Sequence, residues 1–205
     1  MVHKLVDMGI KDERVLQAML LVPRHLFVEE ALVYSAYDHV ALPIGLGQTI
    51  SQPYSVARMT ELLLPTTGQI PHKILEIGSG CGYQTAVLAA LKVKQIISIE
   101  RLELLSEQAK KNLAKVDPKN NVRFLCADGY QGLKNQAPFD GIIVTAAPKE
   151  VPAALLNQLA VGGKLVIPLG EENEQYLWVI EKREQGFLES CMEKACFVPL
   201  INSTI

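Results

Sequence analysis

A doubly wound α/β fold is the class this sequence predicts, with a mostly parallel sheet, an antiparallel strand pair near the C-terminus and a helical segment at the N-terminus. Three observations carry that expectation. From Lys73 onward, short apolar runs alternate with helix-length amphipathic segments. The first four runs are continuous rather than alternating, the pattern of strands buried on both faces. Strand–helix–strand repetition of this kind calls for parallel pairing through right-handed crossovers.

In chain order, residues 1–64 read as helices and loops. Val15, Met19 and Val22 recur at helical spacing beside Leu16 and Leu20, and Pro23 stops the run. A second helix is expected over Val28–Ser35, followed by an irregular stretch, Asp38–Gln52, that holds Pro43, Gly45 and Gly47. Pro53 fits the first turn of another helix, with Val56, Met59 and Leu63 as its buried stripe and Pro65 as its end. KILEIG is then the first strand and Tyr83–Leu91 its helix; QIISIE is the second, followed by a helix over Leu102–Lys115. VRFLCAD, FDGIIVTAA and GGKLVIPLG are the third, fourth and fifth strands. YLWVIEKR and ESCMEKACFVPL flank Gln185-Gly186 with no helix-length segment between them, so they read as an antiparallel pair closing one sheet edge. The expected organisation is a single domain over 1–205, its helical segment spanning 1–65 and its sheet-bearing core 70–205.

Of 205 residues, 49% are apolar and 20% charged, which suits a large core and excludes a disordered chain. Twenty basic against 22 acidic residues leave a net charge of −2, without the basic surplus of a nucleic-acid binder. The apolar runs fall far short of the ~20 residues that span a bilayer, and the N-terminus turns charged before a signal-peptide core forms. A cytoplasmic, monomeric protein that engages neither membrane nor nucleic acid is expected. Cys81, Cys126, Cys191 and Cys196 show no C-x-x-C pair and read as free thiols; His3, His25, His39 and His72 form no ligand pattern, so no metal is expected.

The chemistry-bearing motif is Glu76-Ile77-Gly78-Ser79-Gly80-Cys81-Gly82. Alternate glycines let the chain turn sharply out of the first strand and let a ligand lie against bare backbone at a helix N-terminus. The G-x-G-x-x-G dinucleotide fingerprint would need a glycine where Tyr83 stands. Glu100 ends the second strand, where an acid can accept ribose hydroxyls; Asp128, before Gly129, follows the third and can accept an adenine amine. Each acid alone also reads as a solvated strand-end carboxylate. Together they sit at the carboxyl ends of adjacent strands, where open α/β sheets bind ligands.

Glycine loop, strand-two acid and strand-three acid together resemble the S-adenosylmethionine site of the Rossmann-like class I methyltransferases. The segment Ala41–Pro53, ALPIGLGQTISQP, resembles the signature of the bacterial-type protein-L-isoaspartate O-methyltransferase family. The likeness continues through ILEIGSGCGYQTAVLA, FDGIIVTAAPKEVP and Phe197–Leu200, so it spans about Gly9 to Leu200; Cys81 stands where Ser or Thr is usual, and the segment before Gly9 is shorter than usual. The resemblance implies S-adenosylmethionine as cofactor, held by Glu76, Gly78, Ser79, Gly80, Gly82, Glu100, Asp128 and Gly129. It implies isoaspartyl-containing damaged proteins and peptides as substrates, contacted by Thr49, Ile50, Ser51 and Val198, with Ser51 the active-site position and residues 1–65 on the substrate side. The reaction it implies is methylation of the α-carboxylate left free when Asn or Asp rearranges, followed by spontaneous closure to a succinimide.

Such a carboxylate is ionised at neutral pH, so no general base is required and none stands out. Ser51 also reads as a helix cap, because Pro53 opens a helix and serine is a preferred N-cap. A nucleic-acid or small-molecule methyltransferase would share the cofactor half, yet Thr145-Ala146-Ala147-Pro148 lacks the Asn/Asp-Pro-Pro-aromatic pattern of DNA aminomethyltransferases. A non-catalytic S-adenosylmethionine-binding regulator is disfavoured by the intact TISQP segment, and a nicotinamide dehydrogenase by Tyr83.

Overall fold

The computed structural model describes residues 1–171 and 174–203. Seven strands form one sheet in the order β5-β4-β3-β6-β7-β8-β9. They are β3 (Lys73–Ile77), β4 (Gln95–Glu100), β5 (Val122–Cys126), β6 (Phe139–Val144), β7 (Leu159–Glu171), β8 (Glu174–Lys182) and β9 (Phe187–Ala195). Pairing is parallel from β5 across to β7, then antiparallel through β8 and β9. This is the doubly wound sheet with an antiparallel closing pair that the apolar runs predict. A two-stranded hairpin, β1 (Leu42–Pro43) against β2 (Thr49–Ile50), lies outside it.

Period-two alternation sorts the strand side chains between two cores. Ile74, Ile96, Ile143 and Val166 face a cluster shared with the N-terminal segment and with α4 (Tyr83–Ala90). Leu75, Ile97, Ile142 and Leu165 face the other side, where the short helix α6 (Ala153–Asn157) covers them through Leu155. Burial on both faces explains why these strands are continuous apolar runs. β5 departs from that expectation: it is half-buried, because it is the sheet's edge and has a neighbour on one side only.

The N-terminal segment is built on α1 (Val2–Asp7), α2 (Glu13–Leu21) and α3 (Pro53–Leu63). Asp12 caps α2, accepting the Arg14 N–H at 2.9 Å, and Glu61 of α3 accepts the N–H groups of Lys11 and Asp12 at 2.7 and 2.9 Å. One carboxylate thus seats the start of α2 on α3. Residues 24–35 correct the expected second helix. They form two 3₁₀ turns, Arg24–Phe27 and Glu30–Ser35, and no residue of the second turn is buried. Without an apolar stripe to bury, the chain has nothing to hold an α-helix against. The last strand is also shorter than its apolar text suggests. The chain leaves β9 at Ala195, and Val198–Leu200 cross to Ala147, whose N–H donates to Val198 O at 2.8 Å and whose carbonyl accepts Leu200 N–H at 2.9 Å.

Candidate functional site

β4 lies on one side of β3 and β6 on the other, so the chain reverses its winding direction between β3 and β6. Loops leaving the carboxyl ends of such neighbours diverge and open a crevice. Here the crevice is a cavity of about 840 Å³, measured out to its solvent opening. Its walls bring together Thr49, Ile50 and Ser51, then Gly78, Ser79 and Gly80, then Glu100, Gly129 and Val198. Residues from five separate stretches of sequence thus meet in one place.

The glycine loop is shaped by its neighbours. Gly78 has φ +94°, and a Cβ there would run into Thr145 Oγ1. Thr145 donates that hydroxyl to Gly78 O at 2.7 Å and so clasps the loop to the end of β6. Thr145 also lines the cavity. The sequence reading missed it; its place at the end of the strand beside β3 was the available signal. Glu100 ties the other side. Its Oε2 accepts Gly80 N–H at 2.9 Å and its Oε1 accepts Leu102 N–H at 3.1 Å. Each oxygen keeps a free lone pair.

Three expected cofactor residues stand behind the wall rather than in it. Gly82 (φ +88°) is needed where α4 crosses α5 (Glu103–Val116), since a Cβ would press on Ala109 backbone at 3.1 Å. Asp128 accepts Tyr130 N–H at 2.9 Å and caps a 3₁₀ turn, placing Gly129 in the wall. Glu76 is fully buried. Register sets it opposite Ser98, whose Oγ donates to Glu76 Oε2 at 2.6 Å, while Thr85 Oγ1 donates to the same oxygen at 2.5 Å. Ser98 Oγ also meets Ser79 Oγ at 2.5 Å, so a chain of hydroxyls links Glu76 to the cavity wall.

Glu76 Oε1 has no partner among the described residues. Burial pushes the Glu76 carboxyl up from 4.5 to about 7; the bonds from Ser98 and Thr85 oppose that rise, and the charge of Glu100 adds to it. A folded-state value above the unfolded one means the native protein holds this proton more tightly. The resulting stabilisation is complete below about pH 4.5 and is lost as pH rises through about 7. Glu76→Gln stays neutral throughout. Relative to wild type it should gain up to about 3 kcal/mol of unfolding free energy between pH 4.5 and 8, read by denaturant titration. A pH-independent difference would mean that Glu76 is ionised when buried.

Ser51 does not cap α3. The N-cap is Gln52, which makes no side-chain cap bond. The neighbouring Ile50 is 3% exposed and fixes the backbone, which leaves Ser51 at the cavity wall.

The site suits S-adenosylmethionine on grounds independent of any likeness. Gly78, Ser79 and Gly80 line the cavity, α4 begins without a side-chain cap, which leaves first-turn N–H groups without an intrahelical partner, and the Glu100 carboxylate with spare lone pairs stands at the end of β4.

The family model for protein-L-isoaspartate(D-aspartate) O-methyltransferase matches residues 1–204. A Chromobacterium violaceum protein-L-isoaspartate O-methyltransferase is 54% identical over 201 residues, covering 98% of this chain and 88% of that one. Its counterpart in Dechloromonas aromatica is 52% identical over 204 residues, covering 100% and 93%. A Plasmodium falciparum crystal structure described as such an enzyme, in complex with S-adenosyl-L-homocysteine, superposes with a TM-score of 0.82 at 29% identity, covering 98% of this chain and 96% of that one.

Proposed function

The chain belongs to the protein-L-isoaspartate O-methyltransferase family and transfers a methyl group from S-adenosylmethionine to the free α-carboxylate of L-isoaspartyl residues in damaged proteins; from that premise we propose how its own residues divide the work. The observation that carries the division is the meeting of Thr49–Ser51, the glycine loop and Glu100 around one cavity. Glu100 accepts the ribose hydroxyls, and Asp128 with Gly129 borders the adenine. Gly78, Ser79 and Gly80 bear the amino-acid part. Glu76 and Gly82 act one layer back and hold the loop in shape.

When bound, S-adenosylmethionine supplies a methyl group on a sulfonium, an electrophile that needs no further activation. The isoaspartyl carboxylate, with a free pKa of about 3.3–3.9, is already a nucleophile at neutral pH. What the chain supplies is position, an effect worth roughly 7–11 kcal/mol when reacting atoms are well aligned. Ser51 Oγ donates to the carboxylate, with backbone of Thr49, Ile50 and Val198 completing the grip. No proton moves in the transfer. The methyl ester so formed closes spontaneously to a succinimide, which reopens partly to normal aspartate.

Two outcomes follow. Single-turnover methyl transfer at saturating donor should be nearly flat from about pH 6 to 8, since the substrate carboxyl is ionised throughout. Glu76 titrates within that range but faces Ser98 and Thr85 rather than the cavity, so Glu76→Gln should give the same flat profile. A one-proton slope that a side-chain substitution removes would reveal a general base. Ser51→Ala loses one hydrogen bond to a charged group, roughly 1.5–3 kcal/mol, and should slow single turnover by about 10- to 150-fold. S-Adenosylhomocysteine affinity should change little, and so should the melting temperature, because Ser51 is not the cap. A melting shift with normal turnover would leave Ser51 a packing residue.

A further inference from the structure

A second cavity, about 580 Å³ out to its solvent opening, lies between the start of α3 and the end of β9. Three residues join it to the first. Gln52 in its wall directly follows Ser51, Phe197 in its wall directly precedes Val198, and Met59 lines both cavities. Consecutive Cα atoms stand about 3.8 Å apart, so the second cavity begins one residue away from both Ser51 and Val198. Its floor is apolar, with Met59 1% and Leu177 3% exposed. On its wall, Tyr54 Oη donates to Glu193 Oε2 at 3.2 Å, and Arg58 Nε lies 3.5 Å from the same oxygen. These polar groups are engaged with one another, and the floor offers a guest apolar surface alone.

We infer that this second cavity is a specificity pocket, which receives an apolar side chain of the substrate polypeptide from a residue within two positions of the isoaspartyl. The inference deepens the reading above and rests on it, because Ser51 and Val198 must face the substrate carboxylate. An extended chain advances roughly 3.3–3.6 Å per residue and turns successive side chains to opposite sides. A residue one or two positions along therefore reaches the adjoining cavity and can point into it. An apolar side chain seated on Met59 and Leu177 removes surface from water on both partners. A polar side chain of the same size gives up its hydration there, and neither floor residue returns a hydrogen bond.

The test is a set of isoaspartyl peptides that carry leucine or asparagine, two side chains of similar size, at each of the two positions before and after the isoaspartate. At saturating S-adenosylmethionine, leucine should lower KM about tenfold relative to asparagine at one of these positions, the low end of what burying a leucine side chain supplies. kcat should be the same for both peptides, because the pocket binds ground state and transition state alike. Ser55→Trp, from the α3 wall, fills the pocket and should bring the KM ratio of the two peptides close to one. A merely structural defect would move both KM values together and keep the ratio. Should that variant fail to fold, Ala195→Met fills the pocket from the β9 side. Equal KM values at all four positions, or a leucine preference that survives the filled pocket, would overturn the inference. Wild-type protein that methylates none of the peptides would overturn the reading beneath it.

Discussion

Alanine at Glu100 should weaken S-adenosylhomocysteine binding by at least about a hundredfold, the equivalent of roughly 2.8 kcal/mol. Two hydrogen bonds from ribose hydroxyls to an ionised carboxylate contribute roughly 1.5–3 kcal/mol each. The variant also unties the site itself, because Glu100 accepts Gly80 N–H and Leu102 N–H in the protein. The half-buried Gly80 amide would then have to find water or shift the loop. Glu100→Gln separates the two effects. It retains one accepting oxygen and so can keep one backbone tie, but it lacks the charge; an intermediate loss of roughly tenfold is expected from halving the charge-assisted contribution. S-Adenosylmethionine should follow the same order, because both ligands share the ribose. Calorimetric affinities that do not change in Glu100→Ala would place the nucleoside elsewhere in the cavity.

What could be read from the sequence followed the strength of the local signal. QIISIE and FDGIIVTAA were legible as strands because both sheet faces are covered and each position must be apolar. VRFLC looked alike as text, yet its edge place leaves it half-buried; strand order is not written in any one strand. Ala153–Asn157 was too short to show a helical period, although it is the crossover that covers the second face. In the site, Gly78, Gly80 and Glu100 were legible because loop chemistry and a strand end mark them locally, whereas Ser51 was marked by the family resemblance and read locally only as a helix cap, which it is not. Thr145 was not legible, since it acquires its part only from Gly78, brought close across the β3–β6 crevice by topology. Glu76 was visible as an acid beside the loop, but its burial depends on the register that faces it to Ser98.

The central claim is that this cavity positions one particular carboxylate, and the direct measurement is methyl transfer to a matched pair of peptides. One carries L-isoaspartate and the other L-aspartate at the same place in the same sequence. In the first, the free carboxylate sits directly on Cα; in the second it lies one methylene further out. A displacement on the order of 1 Å costs about 100-fold where catalysis is chiefly alignment. The isoaspartyl peptide should therefore be methylated at least about a hundredfold faster at equal concentration, with an ester that then converts to a succinimide. Equal rates on the two peptides, or a stable ester that never cyclises, would contradict the account.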